Sequence, residues 1–196
     1  MSLQVIFLGT AASIPTPRRT LSAVALKREG ELLLFDCGEG TQRQMISAKI
    51  GFNRKTKIFA THMHGDHVLG LPGILQTMSL LGRDKPLNIF GPPGIKAFVE
   101  AIIRTVKFGL SFEIEVYEID GEGVVHEDEK YQIYAARSDH SIPSLAYALI
   151  EKPRPGRFYP QRAITLGVPE GALWSRLQHG HEVELPNGRK IRPHDV

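Results

Sequence analysis

The chain has 196 residues, 42% of them hydrophobic and 23% charged, which is enough apolar material for a core and excludes disorder as the main state. Lys and Arg number 24 against 21 Asp and Glu, so the net charge is +3 and the pI near 9.0, permitting an anionic partner such as nucleic acid without demanding one. The single cysteine, Cys37, excludes an intrachain disulfide and favours a reducing, cytoplasmic home, while the longest apolar run, residues 145–150, is far short of the roughly 20 residues of a membrane helix. No basic segment precedes the apolar stretch of MSLQVIFLGT, so no signal peptide is expected. The length suits one domain or an incomplete larger one.

In chain order, Gln4–Leu8 reads as a buried strand ending at Gly9, and the loop GTAASIPTPRRT leads to strands Leu21–Lys27 and Glu31–Phe35. After DCGEG a helix is expected over Thr41–Lys49, then a strand over Lys57–Ala60 that runs into THMHGDH. A helix follows over Val68–Leu81, a strand over Leu87–Phe90, a stop at GPPG, and a helix over Ile95–Val106, whose apolar positions 95, 98, 99, 102 and 103 share one face. Three more strand candidates are Phe112–Ile119, Tyr131–Ala135 and Leu145–Ile150. This order predicts a layered α/β domain with a mixed sheet. From Glu151 prolines, glycines and cations dominate, which predicts a protruding loop or short hairpin, an exposed arm at about 152–180. A last hairpin pairs Glu182–Leu185 with Arg189–Ile191 around Asn187-Gly188.

The densest chemistry is His62-Met63-His64-Gly65-Asp66-His67, where a strand gives way to a helix. Residues two apart on an extended backbone point to the same side, so His62 and His64 can take one ion together. Gly65 is expected to let the chain turn sharply and aim Asp66 and His67 at a second position nearby. Imidazole and carboxylate suit Zn²⁺ or a similar first-row ion, and His140, at the end of a strand candidate, is the choice for a third histidine. The other histidines invite bland readings. His126 lies among acids on an expected turn, His194 is near the end of the sequence, and His179-Gly-His181 imitates a ligand pair without the carboxylate turn after it.

The HxHxDH string resembles the metallo-β-lactamase superfamily. The segments FLGTAASIPTPRRTLSA, FDCGEGTQRQM, FATHMHGDHVLGLPGIL, FGPPGIKAF and EKPRPGRF together resemble ribonuclease Z, the tRNA 3′-end processing endonuclease, over essentially the whole chain. The resemblance implies an αββα four-layer sandwich with two zinc ions per complete active site. His62, His64 and His140 would hold one ion, Asp66 and His67 would begin the second site, and Asp36 would fix a histidine by hydrogen bond. It also implies removal of the 3′ trailer from precursor tRNA by metal-activated hydroxide attack, leaving a 3′-hydroxyl on the tRNA, with Asp66 positioning and deprotonating the water. A missing second half would leave an apolar sheet face uncovered, which predicts an oligomer, a homodimer. Arg18 and Arg19, on the loop after the first strand, would hold phosphates near the cut. Lys152, Arg154, Arg157 and Arg162 would grip the tRNA body by shape.

Two departures stand out. Arg19-Thr20 replaces the usual Arg-Asn, and the later ligands of the family have no counterpart, so the sandwich is expected to be incomplete and the 196-residue chain alone to be poorly active. Two rivals remain: a small-molecule phosphodiesterase or other hydrolase of the same fold, and a non-catalytic RNA-binding module that keeps zinc ligands.

Overall fold

The structure is a computed structural model that describes residues 3–153 and 156–196. The chain divides into two compact units. The first runs to Asp128 and resumes over Gln132–Ile150; the second comprises Glu129–Tyr131 and Glu151–Val196.

Six strands of the first unit form one sheet in the order β1 (Leu3–Gly9), β2 (Ala23–Arg28), β3 (Glu31–Phe35), β4 (Lys55–Phe59), β5 (Leu87–Gly91) and β6 (Ile114–Glu118). The first three are antiparallel and the last four run parallel, so β3 is the strand where the pattern switches. Parallel neighbours need long crossovers, and these carry α1 (Thr41–Ser47), α2 (Gly65–Val68), α3 (Leu71–Leu80) and α4 (Ile95–Thr105). Side chains alternate along each strand. Leu32, Leu34, Ile58 and Ile89 meet Met45, Leu71, Ile74, Leu75, Met78, Ile95 and Val99 in one buried cluster. Each such aliphatic side chain contributes about 1.5–3 kcal/mol by leaving water.

On the opposite face Phe35, Phe59, Phe90 and Tyr117 stack across four strands, with ring centroids 5.1, 4.8 and 4.8 Å apart. A second sheet, ordered β7 (Gly123–Glu127), β8 (Tyr131–Ser138) and β9 (Ser144–Glu151), covers them. Tyr147 of β9 lies 6.0 Å from Phe35 and 5.3 Å from Phe59, and its hydroxyl donates to the Ala60 carbonyl at 2.9 Å. Helices, large sheet and small sheet are three successive layers of the expected sandwich.

Two expectations change. The helix expected over Val68–Leu81 is two helices, because the Gly70 N–H donates to the Cys37 carbonyl at 2.8 Å across the break between them. A Cβ at Gly70 would sit 2.2 Å from the Gly38 carbonyl oxygen, so only glycine allows this approach. At Gly65 the chain does turn, from extended His64 straight into α2, and it does so without a positive φ. The segment of His126 is a strand, β7, rather than a turn; the ring is half-buried 6.1 Å from that of Phe90, and burial pushes its pKa down. Glycine and a run of acids hid that strand.

The second unit is not the loop or hairpin expected after Glu151. It contains α5 (Pro160–Thr165), α6 (Ala172–Gln178), the hairpin of β10 (Val183–Glu184) and β11 (Lys190–Ile191), and a 3-10 turn over Pro193–Asp195. Ala163, Val168, Leu177, Val183, Leu185, Ile191 and Val196 form its own buried cluster. Phe158 and Trp174, with ring centroids 5.2 Å apart, pack on it, and the indole N–H donates to the Val168 carbonyl at 3.0 Å. Signals for both helices were present: Pro160 in the first turn of α5, and Gly167 and Gly180 in left-handed conformation just past each helix end.

Candidate metal centre

The functional side chains cluster at the carboxyl ends of β3 and β4. Asp36 closes β3 in the left-handed region, φ 59°, which aspartate tolerates better than most residues, and its N–H donates to the Phe59 carbonyl at 2.8 Å. Its carboxylate then accepts from the Thr61 backbone N–H at 2.8 Å, from the Thr61 hydroxyl at 2.9 Å and from His67 Nδ1 at 2.7 Å. Thr61 was not anticipated from the sequence. Its hydroxyl also lies 2.9 Å from His62 Nδ1, and its carbonyl accepts from the Leu145 N–H at 2.8 Å, which ties β9 to this corner.

Proton counting fixes the tautomers. An ionised carboxylate only accepts, so the one Thr61 hydroxyl hydrogen goes to Asp36, and His62 Nδ1–H must donate to Thr61 Oγ1. His67 Nδ1–H donates to Asp36 in the same way. Both rings therefore present Nε2 as a bare lone pair, the form that ligates a cation. Burial first, and then the neighbouring His67, push the His62 pKa down and keep that ring neutral. The Asp36 hydrogen bond raises that of His67, against the opposing effect of burial.

His62, His64 and His140 offer ligand atoms that all lie within 4.8 Å of one another. His140 Nε2 and His64 Nδ1 are 3.2 Å apart. For metal–nitrogen bonds of about 2.0–2.1 Å, the edge of a tetrahedron is about 3.3–3.4 Å, so this spacing fits two corners of one ion's coordination shell. Asp66 and His67 stand beside the trio. The His62 and His67 rings are 4.0 Å apart, and Asp66 Oδ2 is 3.6 Å from His67 Nε2. Burial works to raise the Asp66 pKa, but the hydrogen bond from the Ser13 N–H at 2.9 Å leads the effects that outweigh it, and the net shift is downward. Histidine lone pairs with an ionised carboxylate are a donor set suited to a first-row divalent ion.

The Ser13 contact fastens the exposed loop after β1 to Asp66. Arg18 and Arg19 are exposed on that loop and, with Thr20 and Gln44, line a cleft of about 170 Å³. In the second unit Lys152 is half-buried with its backbone N–H on the Lys130 carbonyl at 2.9 Å. Arg157 and Arg162 flank the Tyr159 ring at 5.1 and 4.8 Å, and Arg154 lies outside the described residues. His179 Nδ1 is 2.7 Å from the Ser175 carbonyl and exposed; His181 and His194 are exposed as well.

Comparison with known proteins places this geometry. Residues 3–103 match a family described as Anti-Pycsar protein Apyc1. The chain is 51% identical over 194 residues to ribonuclease Z of Methanosarcina acetivorans, covering 99% of this chain and 63% of the relative, and 46% identical over 194 residues to ribonuclease Z of Nitrosopumilus maritimus, covering 99% and 64%. The crystal structure of human tRNase Z, short form, superposes with a TM-score of 0.72 at 39% identity, covering 76% of this chain and 66% of that one.

The chain belongs to the ribonuclease Z family. Its amino-terminal half places it in the Apyc1 family as well. The fold is that of the metallo-β-lactamases: the metallo-β-lactamase fold protein YhfI from Bacillus subtilis superposes with a TM-score of 0.60 at 15% identity, over 76% of this chain and 58% of that one. The chain spans a little under two thirds of the length of the ribonucleases Z it matches. Among the described residues no helix is long and apolar enough to cross a membrane.

Proposed function

We propose that this ribonuclease Z-type chain binds zinc through His62, His64 and His140, with Asp66 and His67 beginning a second site, and serves endonucleolytic removal of the 3′ trailer from precursor tRNA. The observation that carries the reading is the convergence of the three imidazoles beside two further ligand-type groups, one of them fixed by Asp36. Zinc bound there would supply positive charge to the scissile phosphate and lower the pKa of a water.

The residues of the chain have separable tasks in this reading. Asp66, held ionised by the Ser13 N–H, accepts a hydrogen bond from the attacking water and orients it. A carboxylate whose pKa is lowered orients better than it deprotonates. Thr61 and Asp36 hold His62 and His67 with their Nε2 atoms forward, so no ring reorients when substrate binds. Arg18 and Arg19 meet phosphates near the cut, fastened to the metal corner through Ser13. Arg157 and Arg162 offer a paired cationic surface around Tyr159 for the RNA body, with Lys152 and Arg154 beside them in sequence.

The proposal includes a homodimer, supported by the exposed apolar side chains of β1, Leu3, Val5 and Phe7. A cytoplasmic location is supported by one buried, reduced cysteine. The test is zinc analysis of the chain purified without chelator, followed by cleavage assays on precursor tRNA and on a small phosphodiester. Bound zinc with cleavage of precursor tRNA to a 3′-hydroxyl end is the expected result. Hydrolysis of the small diester alone would favour a small-molecule phosphodiesterase, and stoichiometric zinc with RNA binding but no cleavage would favour a non-catalytic module.

A further inference from the structure

Next to the metal corner the first unit holds a cleft of about 410 Å³, with His140 itself in its lining. It lies where β5 and β6 end, the side on which parallel sheets take their ligands. One wall is Pro92 and Pro93; another is Ile142 and Pro143; Ile119 and Leu145 lie deeper. Asp120, Arg137 and Asp139 supply charge and Ser138, Ser141 and Ser144 hydroxyls. The size is that of a small-molecule site, and a lining that mixes proline, isoleucine and leucine with charged and hydroxyl side chains suits a base, whose faces are apolar and whose edges are polar.

The polar groups discriminate further. Arg137 is placed by two bonds: its backbone N–H donates to Glu122 Oε1 at 2.9 Å and its Nη2 to the Asp120 carbonyl at 3.0 Å. The guanidinium has five N–H donors, so four remain, on a residue three positions before His140. The nearby N-terminus of α4 is already taken, since Glu118 accepts from the Gly94 N–H at 2.7 Å and the Lys96 N–H at 3.3 Å. A phosphate at this rim is therefore left to Arg137. Asp120 and Asp139 repel phosphate but accept hydrogen bonds from the amino groups of adenine, cytosine or guanine, which uracil lacks.

Resting on the ribonuclease Z reading of the adjoining metal corner, we infer that this cleft receives one unpaired nucleotide next to the scissile phosphate. The base lies between the proline walls with its amino group toward the two aspartates, and its phosphate sits on Arg137. The cleft thereby selects a single-stranded, amino-bearing base at that position.

The probes are oligoadenylate, oligocytidylate and oligouridylate four nucleotides long, and a precursor tRNA, titrated onto the zinc-loaded chain by fluorescence anisotropy. Oligoadenylate and oligocytidylate should bind about tenfold or more tighter than oligouridylate, the size of one or two base-edge hydrogen bonds. Ile142→Trp, which fills the cleft, should abolish that preference, and Asp120→Asn should reduce it. Arg137→Gln should lower the slope of affinity against salt by about one. Zinc content and the circular dichroism spectrum should stay at wild-type values in all three variants; should Ile142→Trp misfold, the other two still decide. Equal binding of the three oligonucleotides, or variants indistinguishable from wild type while precursor tRNA still binds, overturns the cleft alone. A wild-type chain that binds no precursor tRNA at all overturns the nuclease reading beneath it.

Discussion

The chain contains two histidine pairs of identical spacing, His62-x-His64 and His179-x-His181, in opposite environments. The first follows a buried parallel strand, where Thr61 and Asp36 lock the ring of His62 and its neighbour His67, and where the loop after β8 brings His140 to 3.2 Å from His64. The second follows a seven-residue surface helix, α6, where His179 turns back on its own Ser175 carbonyl. Spacing is thus the weakest part of a ligand motif. What separates the pairs is an orienting carboxylate and a third donor arriving from a distant strand.

That contrast sets the largest expected effect. His64→Ala should weaken zinc binding roughly 100- to 1000-fold, since a full ligand set is worth about 10–16 kcal/mol and one ligand about a quarter of it. Titration against a chromogenic chelator measures it; an unchanged affinity would mean that the trio is not the site. Next in size are the orienting groups. Asp36→Asn and Thr61→Val leave all ligands in place, but the first turns one of the two acceptor oxygens shared by Thr61 and His67 Nδ1–H into a donor and the second removes the acceptor for His62 Nδ1–H, and each should cost about 10- to 100-fold in metal affinity. Losses for Thr61→Val equal to those for His64→Ala would point to a collapsed corner instead of a misaimed ring.

Legibility from sequence follows the same division. The β3 strand and the gathering of His62, His64 and His140 at one place were readable because burial writes a period of two and ligand-type chemistry uses few residue types. Thr61 was not: a threonine before a histidine is an ordinary strand residue until Asp36, 25 positions earlier, is folded against it. β7 was hidden because its packing against β8, with Val124 opposite Tyr134, overrides the turn signals of Gly121, Gly123 and the acids after His126. In the second unit the prolines and the cations masked a small core, although Leu173, Trp174 and Leu177 carry helical spacing.

The buried thiol offers a control on the first unit that does not involve metal. Burial, with the nearby Asp36 charge, pushes the Cys37 pKa far up despite an opposing Thr41 hydrogen bond, so the thiol stays protonated through neutral pH. Its thiolate fraction falls in proportion, and alkylation by iodoacetamide should be undetectable in the native chain at pH 8 and complete in denaturant. Ready alkylation under native conditions would show that the Cys37–Gly70 contact, on which the placement of α2 and its ligands depends, opens frequently.

The smallest effect is the sharpest test of the comparison. His179→Ala combined with His181→Ala removes a histidine pair of the same spacing as His62 and His64. Both residues are exposed, and the pair is anchored through the bond from His179 to the turn behind it. Exposed substitutions of this kind usually change stability by no more than about 0.5 kcal/mol, and His179 contributes a further few tenths at most by capping the negative end of a short helix. Zinc stoichiometry and affinity should therefore match wild type within a factor of about two. A drop in bound zinc would mean that two histidines two residues apart suffice without an orienting carboxylate, and Asp36 and Thr61 would lose their role in aiming the ligands. An unchanged value beside a large loss for His64→Ala would leave the surroundings of the first pair, rather than its spacing, as the source of its chemistry.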